Sequence, residues 1–234
     1  MATTNDPKVI AVRVGADIGQ RQDYTAIAVT EEQDRRGIEH YVTRSIERLP
    51  LQTPYPTVAN HIVAIVQALK ARSEAWEYVG KNYPVECWVD ATGVGLPIVD
   101  LVREAGVSAK SVILTGTDTL TERRDDVISL GKGYMVGRLQ VILQADRLHL
   151  PISEDFTPLI AELQDYHGSQ NPQTGHVSYN AKTAHDDMVI ALALSVGEGR
   201  RGRGEAWSGS WLPEFDEDDY RHPNHVPPWI DGRR

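Results

Sequence analysis

The 234-residue chain has a single cysteine, Cys87, and no apolar run that approaches the roughly 18 residues needed to cross a bilayer. One cysteine excludes an intrachain disulfide and a cysteine-rich zinc site, which fits a reducing compartment. The N-terminus, MATTNDPKVIAV, lacks a basic segment followed by an apolar run, so a secretory signal is not expected. Cys87 lies in the apolar segment VECWVD, where a packed thiol is expected.

A basic excess is also missing, since the formal net charge is −9. This balance argues against indiscriminate nucleic-acid binding, which usually needs a basic surface. It leaves DNA open as a substrate, because a local basic rim can hold phosphates and an acidic site becomes less negative once it binds metal. The candidates for such a rim, each with a solvated surface charge as the alternative, are Arg21, Arg123, Arg124, Lys132, Arg138 and Lys182.

Hydrophobic periodicity predicts three antiparallel strands followed by alternating helices and strands. The predicted strands cover 8–14, 24–30, 38–48, 85–90 and 111–116. The predicted helices cover 57–72, 96–106, 134–145, 154–166 and the segment HDDMVIALALSVG, which follows a turn and short hairpin or strand in NPQTGHVSYNA. This order predicts an α/β fold in which helices flank a mixed central sheet that contains an antiparallel meander.

Three acidic sites stand at the ends of these elements. Asp17 ends the first strand, Asp90 ends the strand VECWVD, and Asp186 and Asp187 open the last helix. Right-handed crossovers would place the strand that ends at Asp90 beside the first strand, with both carboxylates at the same end of the sheet. Carboxylates that converge from distant segments make an oxygen-lined site for divalent metals, and two such metals can drive phosphodiester hydrolysis. The residues therefore predict a nuclease that depends on Mg²⁺ or Mn²⁺.

Each acid also has a structural interpretation. Asp17 could form a turn, Asp90 could act like a cap at a strand–helix turn, and one acid of the last pair could cap its helix. Asp187 is the first choice as metal ligand and Asp186 the second. His185 is expected near the ligands, as a proton carrier or a hydrogen-bonding partner.

The segments DIGQRQDYTAIAV, VDATGVGLPIVDLV, GKGYMVGRLQVILQADRLHLP and HDDMVIALAL resemble, in this order, the nuclease domain of the large terminase subunit of tailed bacteriophages. The resemblance implies an RNase H-like fold, related to RuvC resolvases, over residues 1–198. It also implies that concatemeric viral DNA is cut during genome packaging. The implied site holds two Mg²⁺ or Mn²⁺ ions on Asp17, Asp90 and Asp187 or Asp186.

The resemblance further implies partners: double-stranded DNA, a packaging ATPase, a portal and a small terminase, for a soluble virus-encoded protein in the host cytoplasm. The chain has no GxxxxGK[ST] phosphate loop, so it cannot supply the packaging motor itself. Both an excised domain and a separately encoded nuclease subunit stay open. Residues 199–234, Gly/Arg-rich and then acidic with proline and tryptophan, are expected to form a tail outside the domain.

Three other functions compete with this interpretation. A RuvC-like Holliday-junction resolvase would use the same metal site. An actin-like or sugar-kinase-like ATP-binding protein would use Asp17-Ile18-Gly19 and the loop from Asp90 to Gly95 as phosphate cradles, but 234 residues are too few for its two domains. A packaging scaffold without catalysis would use the acids only to cap turns.

Overall fold

The computed structural model describes residues 7–19, 23–77, 82–116, 120–124, 126–170, 177–181 and 185–197, with only the backbone described at 120–124, 166–170 and 177–181. All of them fall within one compact unit, Met1–Gly199. The predicted tail, residues 199–234, lies outside the described residues, so the domain boundary stays a prediction. In the described part of the chain no helix is long and apolar enough to span a membrane.

The strands, in chain order, are β1 (Lys8–Asp17), β2 (Ala26–Arg35), β3 (Ile38–Arg48), β4 (Val85–Asp90), β5 (Lys110–Thr115), β6 (Leu120–Arg124), β7 (Val127–Gly131), β8 (Leu148–His149), β9 (Tyr166–Gln170) and β10 (Val177–Ala181). The helices are α1 (Tyr55–Glu77), α2 (Gly95–Glu104), α3 (Lys132–Gln144), α4 (Thr157–Asp165) and α5 (Asp187–Val196), with a 3₁₀ turn at Glu154–Phe156.

A mixed eight-stranded sheet organises the fold, in the order β6-β7-β5-β4-β1-β2-β3-β8. Strands β1, β2 and β3 form the predicted antiparallel meander. Strand β4 runs parallel to β1, and β5 runs parallel to β4, as right-handed crossovers require. Strands β9 and β10 form a separate antiparallel pair. The predicted mixed sheet with its meander is confirmed.

Strand β4 is central, with β1 on one side and β5 on the other, which explains why its residues Cys87, Trp88 and Val89 are apolar and buried. Cys87 and Val89 pack on one face and Trp88 on the other. Burial raises the pKa of the Cys87 thiol to about 12. The cysteine is therefore the packed thiol that the sequence predicts.

The side chains of β1 alternate between two cores, one on each face of the sheet. Val12, Val14 and Ala16 pack in the core that includes α1 and α2. Gly15 faces α5, and a Cβ at this position would lie 2.3 Å from the carbonyl oxygen of Ala191. Only glycine therefore lets β1 and α5 approach this closely.

Strands β6, β7 and β8 were not predicted, because each is short and lacks a clear alternation. The start of α1 also differs from the predicted one. The helix begins at Tyr55, two residues before the predicted start at residue 57, and Pro56 lies within the first turn. Proline is tolerated there because the amide that it lacks would have no partner in the helix.

Candidate active site

One end of the sheet carries a row of residues from four neighbouring strands. Asp17 of β1 stands opposite Ala26 of β2, and Ala26 stands opposite Arg48 of β3. On its other side β1 pairs in parallel with β4 up to the residue before Asp17, which makes Asp17 and Asp90 neighbours at the strand ends. The sequence prediction that these two carboxylates share one end of the sheet is therefore correct.

Asp17 and Asp90 also share a face of the sheet, since residues two apart along a strand point the same way. Asp17 stands two residues after Gly15, which packs on α5. Asp90 stands two residues after Trp88, which belongs to the core that contains the α5 side chains. Helix α5 covers this face, and its first residues come to the same sheet end.

A β-bulge brings Arg48 onto this face as well. Tyr41 and Ile46 both pack in the core on the α5 side, although strict alternation would place them on opposite faces. The pairing of β2 with β3 shifts register between Val29 and Thr30, which leaves an extra residue in β3 and reverses the alternation beyond it. Arg48, two residues after Ile46, therefore points toward α5.

The Asp17 carboxyl lies in the centre of the acidic cluster. Its pKa is raised well above the ordinary value of 3.8, first by burial and then by the charges of Asp90, Asp186 and Asp187, while the Lys132 ammonium opposes the shift. The Asp17 carboxylate is thus close enough to those of Asp90, Asp186 and Asp187 to be repelled by them. This is the convergence that the sequence predicts.

Asp90 is buried at the end of β4, and burial raises its pKa. Hydrogen bonds from Thr92 and the charge of Lys132 oppose that shift. The Thr92 amide donates to Asp90 Oδ1 at 2.8 Å, so this oxygen also holds the strand–helix turn, as the capping interpretation expected. A carboxylate has about four acceptor positions, so Asp90 keeps acceptor capacity for a further ligand.

The two acids at the start of α5 are each paired with a cation of the protein. Lys132 Nζ lies 2.7 Å from Asp186 Oδ2. Arg48 donates from Nε to Asp187 Oδ2 at 2.6 Å and from Nη2 to Asp187 Oδ1 at 3.3 Å. Asp187 is buried, whereas about a third of the Asp186 side chain is exposed. Lys132, which was expected to lie near a phosphate or in solvent, thus lies at the acidic cluster.

Neither acid caps α5, so the capping interpretation of this pair is wrong. Asp186 occupies the N-cap position but makes no side-chain hydrogen bond there. The amides of Met188 and Val189 donate instead to Glu162 Oε2 of α4, at 3.0 Å and 3.1 Å. Because Glu162 satisfies the helix terminus, both aspartates are available for other interactions.

His185 lies beside this group, with Nδ1 3.9 Å from Asp187 Oδ1. Its ring meets the Tyr24 ring edge-on, at 5.2 Å between centroids. The same Tyr24 ring lies 5.1 Å from the Arg48 guanidinium carbon. Tyr24 thus packs against both His185 and the arginine that binds Asp187.

The other predicted basic residues are not brought to the cluster within the described residues. Arg138 lies at the far end of α5, where Nε donates to the Gly197 carbonyl at 2.7 Å and Nη2 to the Tyr41 hydroxyl at 2.6 Å. Arg123 and Arg124 lie on β6, where only the backbone is described. Arg21 and Lys182 lie outside the described residues.

Sequence reasoning missed Arg48, Glu162 and Tyr24. Glu162 had a weak signal, because it stands three residues after Leu159 on the buried side of an amphipathic helix, where a charge needs a partner. Arg48 had no signal in the sequence, because the face of the sheet to which its side chain points depends on the bulge in β3.

The donor chemistry of the cluster fits a divalent metal. All four carboxylates supply oxygen ligands, which suit Mg²⁺ and Mn²⁺. In the part of the chain that the structure describes, no three His, Cys, Asp or Glu residues are arranged as they stand to hold an ion. The ion pairs of Asp186 with Lys132 and of Asp187 with Arg48 each use part of the acceptor capacity of one carboxylate.

Comparison with known proteins identifies the class. A model of the terminase RNase H-like domain family matches residues 14–196. The chain therefore belongs to the terminase RNase H-like domain family. No curated protein matches it.

Solved structures confirm the fold. The chain is similar to the large terminase nuclease of the thermophilic phage G20c, at 19% identity and a TM-score of 0.50, over 86% of this chain and 84% of that one. It is also similar to the human cytomegalovirus terminase nuclease domain, at 11% identity and a TM-score of 0.52, over 83% and 86%. A manganese-soaked structure of that domain gives 11% identity and a TM-score of 0.51, over 83% and 85%. The predicted resemblance and RNase H-like fold are both confirmed.

Proposed function

We propose that this chain is a divalent-metal-dependent endonuclease that cuts concatemeric double-stranded viral DNA during genome packaging. The observation that carries the proposal is the convergence of Asp17, Asp90, Asp186 and Asp187, from β1, β4 and α5, at one end of the sheet. A cluster of this kind is electrostatically unfavourable without cations. Membership of the terminase RNase H-like domain family supports the same function.

The proposed ligands of Mg²⁺ or Mn²⁺ are Asp17, Asp90 and one acid of the pair at the start of α5. Asp187, the buried member, is the first choice and Asp186 the second. The fold of the manganese-soaked cytomegalovirus domain, together with the oxygen donors, supports a divalent ion here. We propose two ions, although Mg²⁺ and Mn²⁺ suit these ligands equally.

Divalent ions bound there would activate a water and neutralise charge on the scissile phosphate and the leaving oxygen. Burial and the neighbouring carboxylates raise the pKa of Asp17, and the charge of a bound divalent ion would oppose that shift. Asp90 would keep its turn through Oδ1 and use its remaining acceptor capacity for the ion. If Asp186 bound a divalent ion, Lys132 could leave this carboxylate, and its ammonium could then donate to a phosphate oxygen.

The acidic chain is expected to hold DNA weakly on its own, because phosphate contacts dominate DNA affinity. The packaging ATPase, portal and small terminase are therefore the proposed partners that keep DNA at the site. Four basic residues remain candidates for direct phosphate contacts beside Lys132: Arg21, Arg123, Arg124 and Lys182.

The test is cleavage of supercoiled plasmid DNA with EDTA, Mg²⁺ or Mn²⁺. Wild type and the control Asp100→Ala, an exposed acid on α2, are expected to cut only with metal. Asp90→Ala is expected to lose cutting, because it removes a ligand. Equal cutting by Asp90→Ala, or cutting in EDTA, would place the activity elsewhere. No cutting by wild type with either metal would contradict the proposal for this chain.

A preference for four-way junctions over linear duplex DNA would favour the resolvase alternative, which shares the site. The scaffold alternative loses its main support, since neither Asp186 nor Asp187 caps α5. No observation favours ATP binding.

A further inference from the structure

Three elements meet at one buried set of charges beside the proposed metal site. Arg48 at the end of β3 contacts Asp187 at the start of α5 and Glu162 on α4. The side chains of Asp187 and Glu162 are 8% and 5% exposed, so their interactions with Arg48 are poorly screened by water. Arg48 is 23% exposed, and the Tyr24 ring packs against its guanidinium.

The guanidinium fixes the orientation of the Asp187 carboxylate, because it binds both oxygens. A planar fork that donates to two oxygens sets the plane of the carboxylate as well as its position. A carboxylate has about four acceptor positions on its two oxygens, and the fork takes two of them. Asp187 can therefore bind Arg48 and a metal ion at the same time.

Glu162 has two roles in the same unit. Its Oε2 accepts the amides of Met188 and Val189, so it fixes the first turn of α5, while Oε1 contacts Arg48. The helix terminus that carries Asp187 and the arginine that orients Asp187 are thus held by one buried carboxylate.

We propose that Arg48 and Glu162 are positioning residues that orient Asp187 to bind a divalent ion, an inference that rests on the proposed function. Neither residue touches the reacting groups. Arg48 acts through the Asp187 carboxylate, and Glu162 acts through Arg48 and through the first turn of α5. Partners that orient a metal ligand typically change metal affinity or activity by roughly 10–100-fold when they are altered.

The test is a calorimetric titration of the full chain with Mn²⁺ in the absence of DNA. The variants Arg48→Lys and Glu162→Asp each keep the charge, so long-range electrostatics stay constant. Lysine lacks the two-pronged geometry, and aspartate is one methylene too short to reach both the α5 amides and Arg48. We expect each to raise the Kd for Mn²⁺ by roughly 10-fold. The control is Arg44→Lys on β3, the strand that carries Arg48, because this variant alters an ion pair of Arg44 with Glu31 of β2.

A structural role alone would lower the thermal stability in EDTA and leave the Kd of the folded variants unchanged. An unchanged Kd in folded Arg48→Lys and Glu162→Asp would therefore overturn the inference. A lower Kd would also overturn it, because it would mean that Arg48 competes with the metal. If one variant does not fold, the other decides.

Two further outcomes complete the test. The double variant is expected to bind Mn²⁺ little more weakly than the weaker single variant, because both residues act through one unit. If the two substitutions instead lower the Mn²⁺ affinity independently, so that their factors multiply in the double variant, Arg48 and Glu162 do not act together. If wild type binds no Mn²⁺, the proposed metal site fails and the inference fails with it. Binding by wild type with unaffected variants overturns the inference alone.

Discussion

Replacing Gly15 with alanine should damage both the stability and the site. Gly15 faces α5 two residues before Asp17. A Cβ there would lie 2.3 Å from the Ala191 carbonyl oxygen and 2.4 Å from the Ser195 backbone nitrogen. Ordinary Cβ contacts begin at 3.4 Å, and backbone atoms cannot rotate out of the way. Strand β1 and α5 would therefore have to separate by about 1 Å.

Two effects follow from that separation. Overpacking of this kind costs about 1–3 kcal/mol of the free energy of unfolding. The separation also moves the start of α5 relative to Asp17, and a misplacement of about 1 Å in a catalytic constellation can lower the rate by about 100-fold. We therefore expect Gly15→Ala to lose about 100-fold in Mn²⁺-dependent plasmid cleavage while it still folds.

Urea unfolding and plasmid cleavage check this prediction together. The matched control is Gly137→Ala in α3, where an added Cβ meets nothing within 4 Å. Alanine inside a helix should stabilise the protein by about 0.5–1 kcal/mol and leave cleavage unchanged. If Gly15→Ala unfolds and cleaves DNA as wild type does, the close packing of β1 on α5 is refuted.

Further predictions concern Arg13, Asp17 and Cys87. Arg13→Met should lower the free energy of unfolding in urea by about 3–5 kcal/mol, because it leaves the buried charge of Glu32 without this ion pair and removes a 2.7 Å ion pair with Glu86. A decrease of less than about 1 kcal/mol would contradict this prediction. The pKa of Asp17 is raised in the folded state, so its contribution to metal-free stability is complete below the ordinary value of 3.8 and is lost as pH rises through the folded pKa. In EDTA, the free energy of unfolding of Asp17→Asn should therefore decrease less steeply with rising pH than that of wild type. The same pH dependence in both proteins, measured by unfolding at several pH values, would refute this prediction. Cys87, with a pKa of about 12, should resist a thiol reagent at pH 8 until urea unfolds the chain.

The sequence was sufficient to predict where the acids at the strand ends lie, because their positions depend on simple rules of sheet topology. Asp90 ends an apolar strand, and a buried strand that follows a crossover helix lies parallel to its neighbour. The position of Asp17 follows from the same rule, since β1 and β4 end together. Asp186 and Asp187 were found because they begin a strongly apolar helix that must pack on the sheet.

The groups that surround these acids could not be predicted, since they depend on tertiary geometry. Arg48 reaches Asp187 only because a bulge reverses the alternation of β3, and strict alternation would have turned it away from α5. Glu162 caps a helix that is distant in sequence, so no local capping pattern reveals it. Arg138 was a candidate for DNA contact by charge alone, and packing against the end of α5 engages its guanidinium instead.

The most direct measurement of the central claim is an anomalous difference map from crystals of the protein soaked in Mn²⁺. We expect strong peaks at the sheet end, within coordination distance of Asp17, Asp90 and Asp187 or Asp186. The same soak of Asp17→Asn crystals should weaken these peaks. Strong peaks only elsewhere on the protein, or none at these carboxylates, would contradict the claim that the cluster is a metal-dependent nuclease site.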